Sequence, residues 1–114
     1  MPARPSTRYA CTKMFGEALG RYYSDQHGLA VVCLRIAWFQ PPDSPLLRSR
    51  PEMRPEWCSP GDLARLVRLA VLKPVRFAVV FGISNNTGRF WDTTEAEHLI
   101  GYRPQDDWAD LDLG

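Results

Sequence analysis

Residues 29–36 have the sequence LAVVCLRI, a nearly unbroken apolar run that contains the β-branched residues Val31, Val32 and Ile36. A run of this length and composition is typical of a strand whose two faces are both covered. Strands of that kind belong to parallel sheets with helices packed on them. The stretch therefore predicts an α/β fold, and the neighbouring segments support it.

The segment before this strand predicts a helix over about 8–26. Its apolar residues Phe15, Ala18, Leu19 and Tyr22 recur at helical spacing and would form one stripe. Gly28 follows at the position where a left-handed residue commonly ends a helix. A helix that leads directly into a buried strand fits the α/β interpretation.

A second helix and strand are predicted further along the chain. Ser59 is a helix cap, Pro60 fits the first helical position, and Asp62 is placed to return a capping bond, with the helix continuing to about Leu72. Residues 77–82 form another apolar strand and residues 85–88 a turn. Asp92 and Glu95 have the spacing of a further capping box, which predicts a short helix that ends at Gly101.

The segment over about 38–57 is predicted to be an irregular loop rich in proline and arginine. Five of the ten prolines of the chain fall in it. Proline disrupts regular helices and sheets, and a loop of this length in a compact domain is usually functional or disordered.

The composition indicates one ordinary globular domain of 114 residues, with 45% hydrophobic and 24% charged residues. A net charge of +1 gives no electrostatic reason to expect nucleic acid or a membrane surface as a partner. Cys11, Cys33 and Cys58 are widely spaced, so neither a disulfide framework nor a metal site is expected. No apolar stretch approaches membrane-spanning length, which suits a cytoplasmic protein.

Tyr9 and Lys13 are the strongest candidates for chemistry. A spacing of four residues on a predicted helix places them on one face, one turn apart. A free phenol, with a pKa of about 10, is a poor base at neutral pH, and a nearby ammonium favours the phenolate. A tyrosine in such a pair can exchange a proton with a substrate hydroxyl while a hydride moves to a cofactor. A tyrosine four residues before a lysine also occurs by chance, so the surrounding motifs matter.

Those motifs occur in a fixed order along nearly the whole chain: YACTK at 9–13, FGE at 15–17, HGL at 27–29, VVCLRI at 31–36, WCSPGDLA at 57–64, FWD at 90–92 and LIGYRPQDD at 99–107. Their succession resembles the C-terminal portion of the extended short-chain dehydrogenase/reductase superfamily, in particular NAD-dependent epimerase/dehydratase members similar to uronate dehydrogenase. The resemblance implies the C-terminal part of a Rossmann-like parallel sheet with flanking helices.

The resemblance also implies roles for individual residues. Tyr9 would be the catalytic acid/base, and Lys13 would bind the nicotinamide ribose of NAD or NADP and assist Tyr9. Ile36, Ala37 and Trp38 would lie beside the nicotinamide. Trp38 departs from the small or polar residue of uronate dehydrogenases, which puts a uronate substrate in doubt. An arginine in the loop would grip a substrate carboxylate or phosphate, the candidates being Arg48, Arg50 and Arg54, although each is equally explained as a solvated side chain.

The Gly-rich turn that binds the dinucleotide pyrophosphate does not occur in these 114 residues. We therefore expect a partial domain over 1–114, without the N-terminal dinucleotide-binding half, that dimerises, associates with another chain or folds poorly alone. The leading hypothesis is part of an oxidoreductase or epimerase that acts on a sugar or sugar acid. The alternative is a binding or regulatory remnant of that fold without catalysis.

Overall fold

The computed structural model describes residues 7–73, 75–89 and 91–113. Its helices and strands, in chain order, are α1 (Arg8–His27), β1 (Val31–Ile36), β2 (Trp38–Phe39), α2 (Pro45–Ser49), β3 (Trp57–Cys58), α3 (Pro60–Leu72), β4 (Phe77–Gly82) and α4 (Thr94–Ile100). Two 3₁₀ helices cover Pro51–Glu56 and Trp108–Asp110. The predicted alternation of helices and strands is confirmed.

The strands form two parallel pairs. β1 lies beside β4, and hydrogen bonds join the Val31 amide to the Arg76 carbonyl and the Ala37 amide to the Gly82 carbonyl, both at 2.9 Å. Both bonds join residues that are the same number of positions apart in the chain, so the two strands run in the same direction. β2 pairs with β3, with Trp38 opposite Trp57. Residues of β1 are half-buried except for the exposed Ile36, so the prediction of a strand covered on both faces was wrong for this chain: β4 is its one strand neighbour among the described residues.

The chain divides into two compact units. Among the described residues, the first unit comprises 7–33 and 75–79, and the second comprises 34–73, 80–89 and 91–113. The amino-terminal parts of β1 and β4 belong to the first unit and their carboxyl-terminal parts to the second.

In the first unit, α1 packs on β1 through Gly20. A Cβ atom at Gly20 would lie 2.9 Å from Cγ1 of Val31, so the glycine allows the close approach, whereas Gly16 has open space around it. Ser24 and Arg76 fix the end of the helix, because the Ser24 hydroxyl donates to the Arg76 carbonyl and Nη2 of Arg76 donates to the Ser24 carbonyl, both at 3.0 Å. Gly28 ends the helix at a φ of 66°, as predicted.

The apolar stripe predicted on α1 is not a core face in this chain. Phe15, Leu19 and Tyr22 are all exposed, Phe15 by 68% of its surface. Helical spacing correctly identified a helix with an apolar side, but spacing alone does not supply the surface that would cover it.

In the second unit, α3 begins at the predicted residue with a different capping arrangement. The Ser59 hydroxyl accepts from the Asp62 amide at 2.9 Å, which confirms the cap. The expected return bond from Asp62 to Ser59 does not form, because the Ser59 amide donates to the Ser84 hydroxyl instead. The Asp62 carboxylate accepts from the amides of Gln105 and Asp106.

The prediction that residues 38–57 are irregular was wrong in part, because the segment contains β2, α2, a 3₁₀ helix and the first residue of β3. Pro45 and Pro51 stand at the starts of the two helices, where the missing amide hydrogen is not needed. Leu47 of α2 is fully buried, and the side chain of Trp57 donates from Nε1 to the Gln40 carbonyl at 2.8 Å. The segment is therefore part of the packed second unit.

The predicted capping box before α4 does not form. Asp92 accepts from the amide and hydroxyl of Thr94, at 2.9 and 2.6 Å, and the helix begins after Thr93 without a side-chain cap. Gly101 ends α4 at a φ of 74°, as predicted. Phe90, which precedes this region in the FWD motif, lies outside the described residues.

The described ranges contain neither a membrane-spanning helix nor a cluster of metal-ligating side chains. No helix there is both long enough and apolar enough to cross a membrane. No group of three or more histidine, cysteine, aspartate or glutamate side chains in those ranges is arranged to hold a metal ion.

Candidate active site

The structure places Tyr9 and Lys13 together on the first turns of α1, in the first unit. The Thr7 hydroxyl caps this end of the helix by accepting from the Ala10 amide at 3.0 Å. Nζ of Lys13 lies 5.1 Å from the centroid of the Tyr9 ring, which is a cation–π distance. Tyr9 is 71% exposed, so its hydroxyl is accessible to a ligand. The predicted juxtaposition of a phenol and an ammonium is thus present.

Ile36, Ala37 and Trp38 lie in the second unit at the carboxyl end of β1. The Ala37 amide donates to the Gly82 carbonyl at the matching end of β4, so the two strand ends are held side by side. A Cβ atom at Gly82 would lie only 2.7 Å from Cδ2 of Leu66, which explains a glycine at this edge. Ile36, Ala37 and Trp38 therefore lie at the carboxyl edge of the β1–β4 pair, the edge at which ligands of open α/β sheets collect.

The three loop arginines have different surroundings. Nε of Arg54 donates to the Leu47 carbonyl at 2.7 Å, and its guanidinium lies 5.5 Å from the Trp108 ring centroid. Nη2 of Arg48 donates to the Asp112 carbonyl at 3.3 Å. Arg50 is exposed, and its side chain makes no hydrogen bond or ion pair within the described part of the chain. Arg54 therefore holds the loop together, and Arg50 is the candidate with the greatest freedom to bind a substrate.

Sequence reasoning missed a buried polar network that supports the second unit. Nδ2 of Asn86 donates to the carbonyls of Pro55 and Trp57, at 3.1 and 2.6 Å, and the Tyr102 hydroxyl donates to the Ile83 carbonyl at 2.8 Å. Burial raises the pKa of Tyr102, helped by the negative charge of Asp62. The signal available in the sequence was the run of small polar residues directly after β4, which was interpreted only as a turn.

In the first unit, the exposed Tyr9–Lys13 pair offers polar groups of the kind that bind ribose hydroxyls. In the second unit, the strand edge at Ala37 and Gly82 offers the small, apolar kind of surface that suits a nicotinamide ring. The pyrophosphate has no equivalent cradle, since the sequence contains no Gly-rich strand-to-helix turn.

Comparison with known proteins identifies relatives that are named as dehydrogenases of sugars or sugar derivatives. The chain is 41% identical over 116 residues to L-arabinose 1-dehydrogenase (NAD(P)(+)) of Haloferax volcanii, a match of 95% of this chain and 46% of the relative. It is 34% identical to NAD-dependent glucose-6-phosphate dehydrogenase of the same organism, over 95% of this chain and 40% of the relative. It is also 34% identical to uronate dehydrogenase of Pseudomonas putida, over 92% and 37%. No family model matches.

Solved structures agree with these sequence matches. The structure superposes on uronate dehydrogenase from Agrobacterium tumefaciens with a TM-score of 0.81 and 32% identity, over 96% of this chain and 39% of that one. A mutant form of that enzyme complexed with NAD gives a TM-score of 0.78 at 30% identity, again over 96% of this chain and 39% of that one. These matches fit the C-terminal portion of an extended short-chain dehydrogenase/reductase.

The match lies in the C-terminal part of these relatives, and the chain spans less than half of their length. The predicted fold class, the C-terminal part of a Rossmann-like sheet with flanking helices, is confirmed. Two of these relatives are NAD(P)-dependent by name and one solved relative is complexed with NAD, in agreement with the cofactor class that the resemblance implied.

Proposed function

We propose that the protein containing this chain is an NAD(P)-dependent dehydrogenase of a sugar or sugar acid, with Tyr9 as its acid/base. The observation that carries the proposal is the Lys13 ammonium 5.1 Å from the ring of the exposed Tyr9, on one helix face, in a chain similar to sugar dehydrogenases. The names of the relatives support the reaction class but differ in substrate.

In the proposed reaction, Tyr9 as phenolate takes the proton of the substrate hydroxyl that is oxidised. A bound NAD or NADP would supply the hydride acceptor for the carbon bearing that hydroxyl, so that a carbonyl would form and both electrons would be accounted for. Lys13 has two tasks: its positive charge favours the phenolate, and its N–H groups bind ribose hydroxyls. Ile36, Ala37 and Trp38 would bound the nicotinamide side of the site.

The substrate is a sugar or sugar acid, as in the named relatives. A carboxylate or phosphate on it would be bound by Arg50, because a guanidinium offers paired donors to such groups and this one has no partner among the described residues. Arg48 would need to leave the Asp112 carbonyl, and Arg54 the Leu47 carbonyl, before either took that role.

The role of Tyr9 is tested in a chimaera in which residues 7–113 replace the matching part of the L-arabinose dehydrogenase of H. volcanii, the relative with 41% identity. Reduction of NAD(P)⁺ is followed by absorbance with L-arabinose, glucose 6-phosphate and glucuronate in turn. Tyr9→Phe is expected to lower kcat at least a hundredfold while cofactor binding persists, since proton transfer contributes about 10²–10⁴-fold. Tyr23→Phe, another exposed tyrosine of α1, is the matched control.

Two results would contradict the proposal. A chimaera that folds and binds NAD but retains full turnover after Tyr9→Phe would remove Tyr9 from the chemistry. If Tyr9→Phe and Tyr23→Phe lowered the activity equally, the loss would come from a disturbance of the helix and not from removal of the phenol at residue 9.

A further inference from the structure

The second unit has a cleft of about 540 Å³ on the side formed by the last turns of α3 and the segment after α4. Four of its lining residues are cationic, namely Arg65, Arg68, Lys73 and Arg103. Leu69 and Leu72 supply an apolar surface beside them, and the lining contains no aspartate or glutamate. The volume is within the range of small-molecule sites. The cleft therefore combines strong positive charge with room for a ligand.

Two of the four cations have no partner among the residues that the structure describes. Within the described ranges, the side chains of Arg68 and Lys73 make no hydrogen bond or ion pair. Both residues are exposed, and the positive charges on one wall repel each other unless an anion screens them. Neighbouring carboxylates thus do not explain why these two cations are placed together.

The other two cations are held at the rim by acidic partners outside the lining. Arg103 pairs with Glu97 at 3.1 Å, with side chains 79% and 49% exposed, and a pair so open to solvent is weak enough to be replaced by a ligand. Arg65 contacts Asp62 at 2.9 Å and Asp106 at 3.1 Å. These contacts fix its guanidinium in the cleft wall, where 36% of the side chain remains exposed.

We propose that this cleft binds an oligophosphate, either inorganic or as the phosphate chain of a nucleotide. Arginine forks match phosphate oxygens in pairs and lysine adds a mobile point charge, so three arginines and a lysine suit several adjacent phosphate groups. Leu69 and Leu72 offer a surface for the organic part of a nucleotide. All the residues that line this cleft belong to the second unit, and its proposed ligand binding does not require the role proposed for Tyr9.

Titration calorimetry of the 114-residue chain with sodium triphosphate at about 50 mM salt tests the proposal, because ionic contacts are screened at higher salt. We expect saturable binding that the double substitution R68Q/K73Q weakens at least tenfold. The matched control R8Q/R21Q removes the same charge from two exposed arginines outside the cleft and should change the Kd less than threefold. ATP without metal is the second arm: tighter binding than triphosphate indicates a nucleotide, and equal binding indicates the inorganic ligand.

Amide chemical shifts locate the ligand independently of the substitutions. Triphosphate should move the signals of Gly101 and Tyr102, which line the cleft, and leave those of Tyr9 and Lys13 unchanged. The proposal is overturned by absence of saturable binding, by equal weakening in both double variants, or by shifts confined to α1. Circular dichroism of each variant confirms that the exposed substitutions leave the fold intact.

Discussion

Replacing Asp62 by asparagine should destabilise the second unit strongly. Asp62 is fully buried, and its carboxylate accepts four hydrogen bonds. Oδ1 accepts from Nε and Nη2 of Arg65 and from the Gln105 amide, and Oδ2 accepts from the Asp106 amide at 3.0 Å. These bonds join the start of α3 to the segment that follows α4, so their loss affects contacts distant in sequence.

The loss of stability in Asp62→Asn follows from how these four hydrogen bonds are shared between the two carboxylate oxygens. The asparagine oxygen should take the Oδ1 position, where three donors converge, and its NH₂ group then faces the Asp106 amide, donor against donor. One lost bond with a buried unpaired donor costs about 1–3 kcal/mol. The two Arg65 bonds also lose charge assistance, a loss of about 1 kcal/mol after allowance for the 36% exposure of that side chain. Together, Asp62→Asn should lower the free energy of unfolding by about 2–4 kcal/mol.

Urea unfolding followed by tryptophan fluorescence measures this change, since Trp57 is buried in the same unit. With a urea dependence of about 1–3 kcal/mol per molar, the midpoint should fall by about 1–2 M. Asp112→Asn is the control, because Asp112 is exposed and Arg48 bonds only to its backbone carbonyl. The same small shift in both variants would refute the reasoning, for it would mean that the buried carboxylate contributes no more than an exposed one.

Three further predictions concern packing and the buried hydroxyl and thiol groups. Tyr102→Phe leaves the Ile83 carbonyl unpaired in the core and should cost about 1–3 kcal/mol by urea unfolding; an unchanged midpoint would contradict the bond. Gly20→Ala should destabilise by crowding Val31, whereas Gly16→Ala, with open space around it, should stabilise by up to about 1 kcal/mol through helix propensity. Burial, reinforced by the charge of Asp62, raises the pKa of Cys58 from 9.0 to about 12, so alkylation at pH 8 followed by peptide mass spectrometry should find this thiol modified only in urea. Because the unfolded thiol ionises near pH 9 and the folded one near 12, stability should also fall as pH rises across that interval.

The parts of the fold that the sequence predicted correctly depend on local chemistry. Gly28 and Gly101 end helices because a left-handed residue is needed there, and Ser59 caps α3 with its own hydroxyl. The spacing of Tyr9 and Lys13 sets their geometry through one helical turn, which tertiary structure does not alter.

The parts that could not be predicted depend on residues far apart in the chain. Asp62 has the position of a capping-box residue, but the amides of Gln105 and Asp106 are the donors that satisfy its carboxylate. The sequence makes Arg54 a candidate for anion binding, but in the structure its guanidinium contacts the Leu47 carbonyl and the Trp108 ring. The local sequence identifies which polar groups need hydrogen-bond partners, whereas the folded structure determines which residues supply them.

The same distinction sharpens the meaning of the Tyr9–Lys13 pair. The ammonium and the ring are brought together by α1 alone, so the pair would form wherever this helix forms. Proton transfer at Tyr9 produces oxidation only when a hydride acceptor lies beside the same substrate carbon, and no property of one helix supplies that group. The pair is therefore the basis of the proposed reaction class, and in the proposed reaction the rate would depend on what holds the cofactor against Tyr9. This is why the chimaera, with a complete cofactor site, gives a more discriminating test of the phenol than the chain alone.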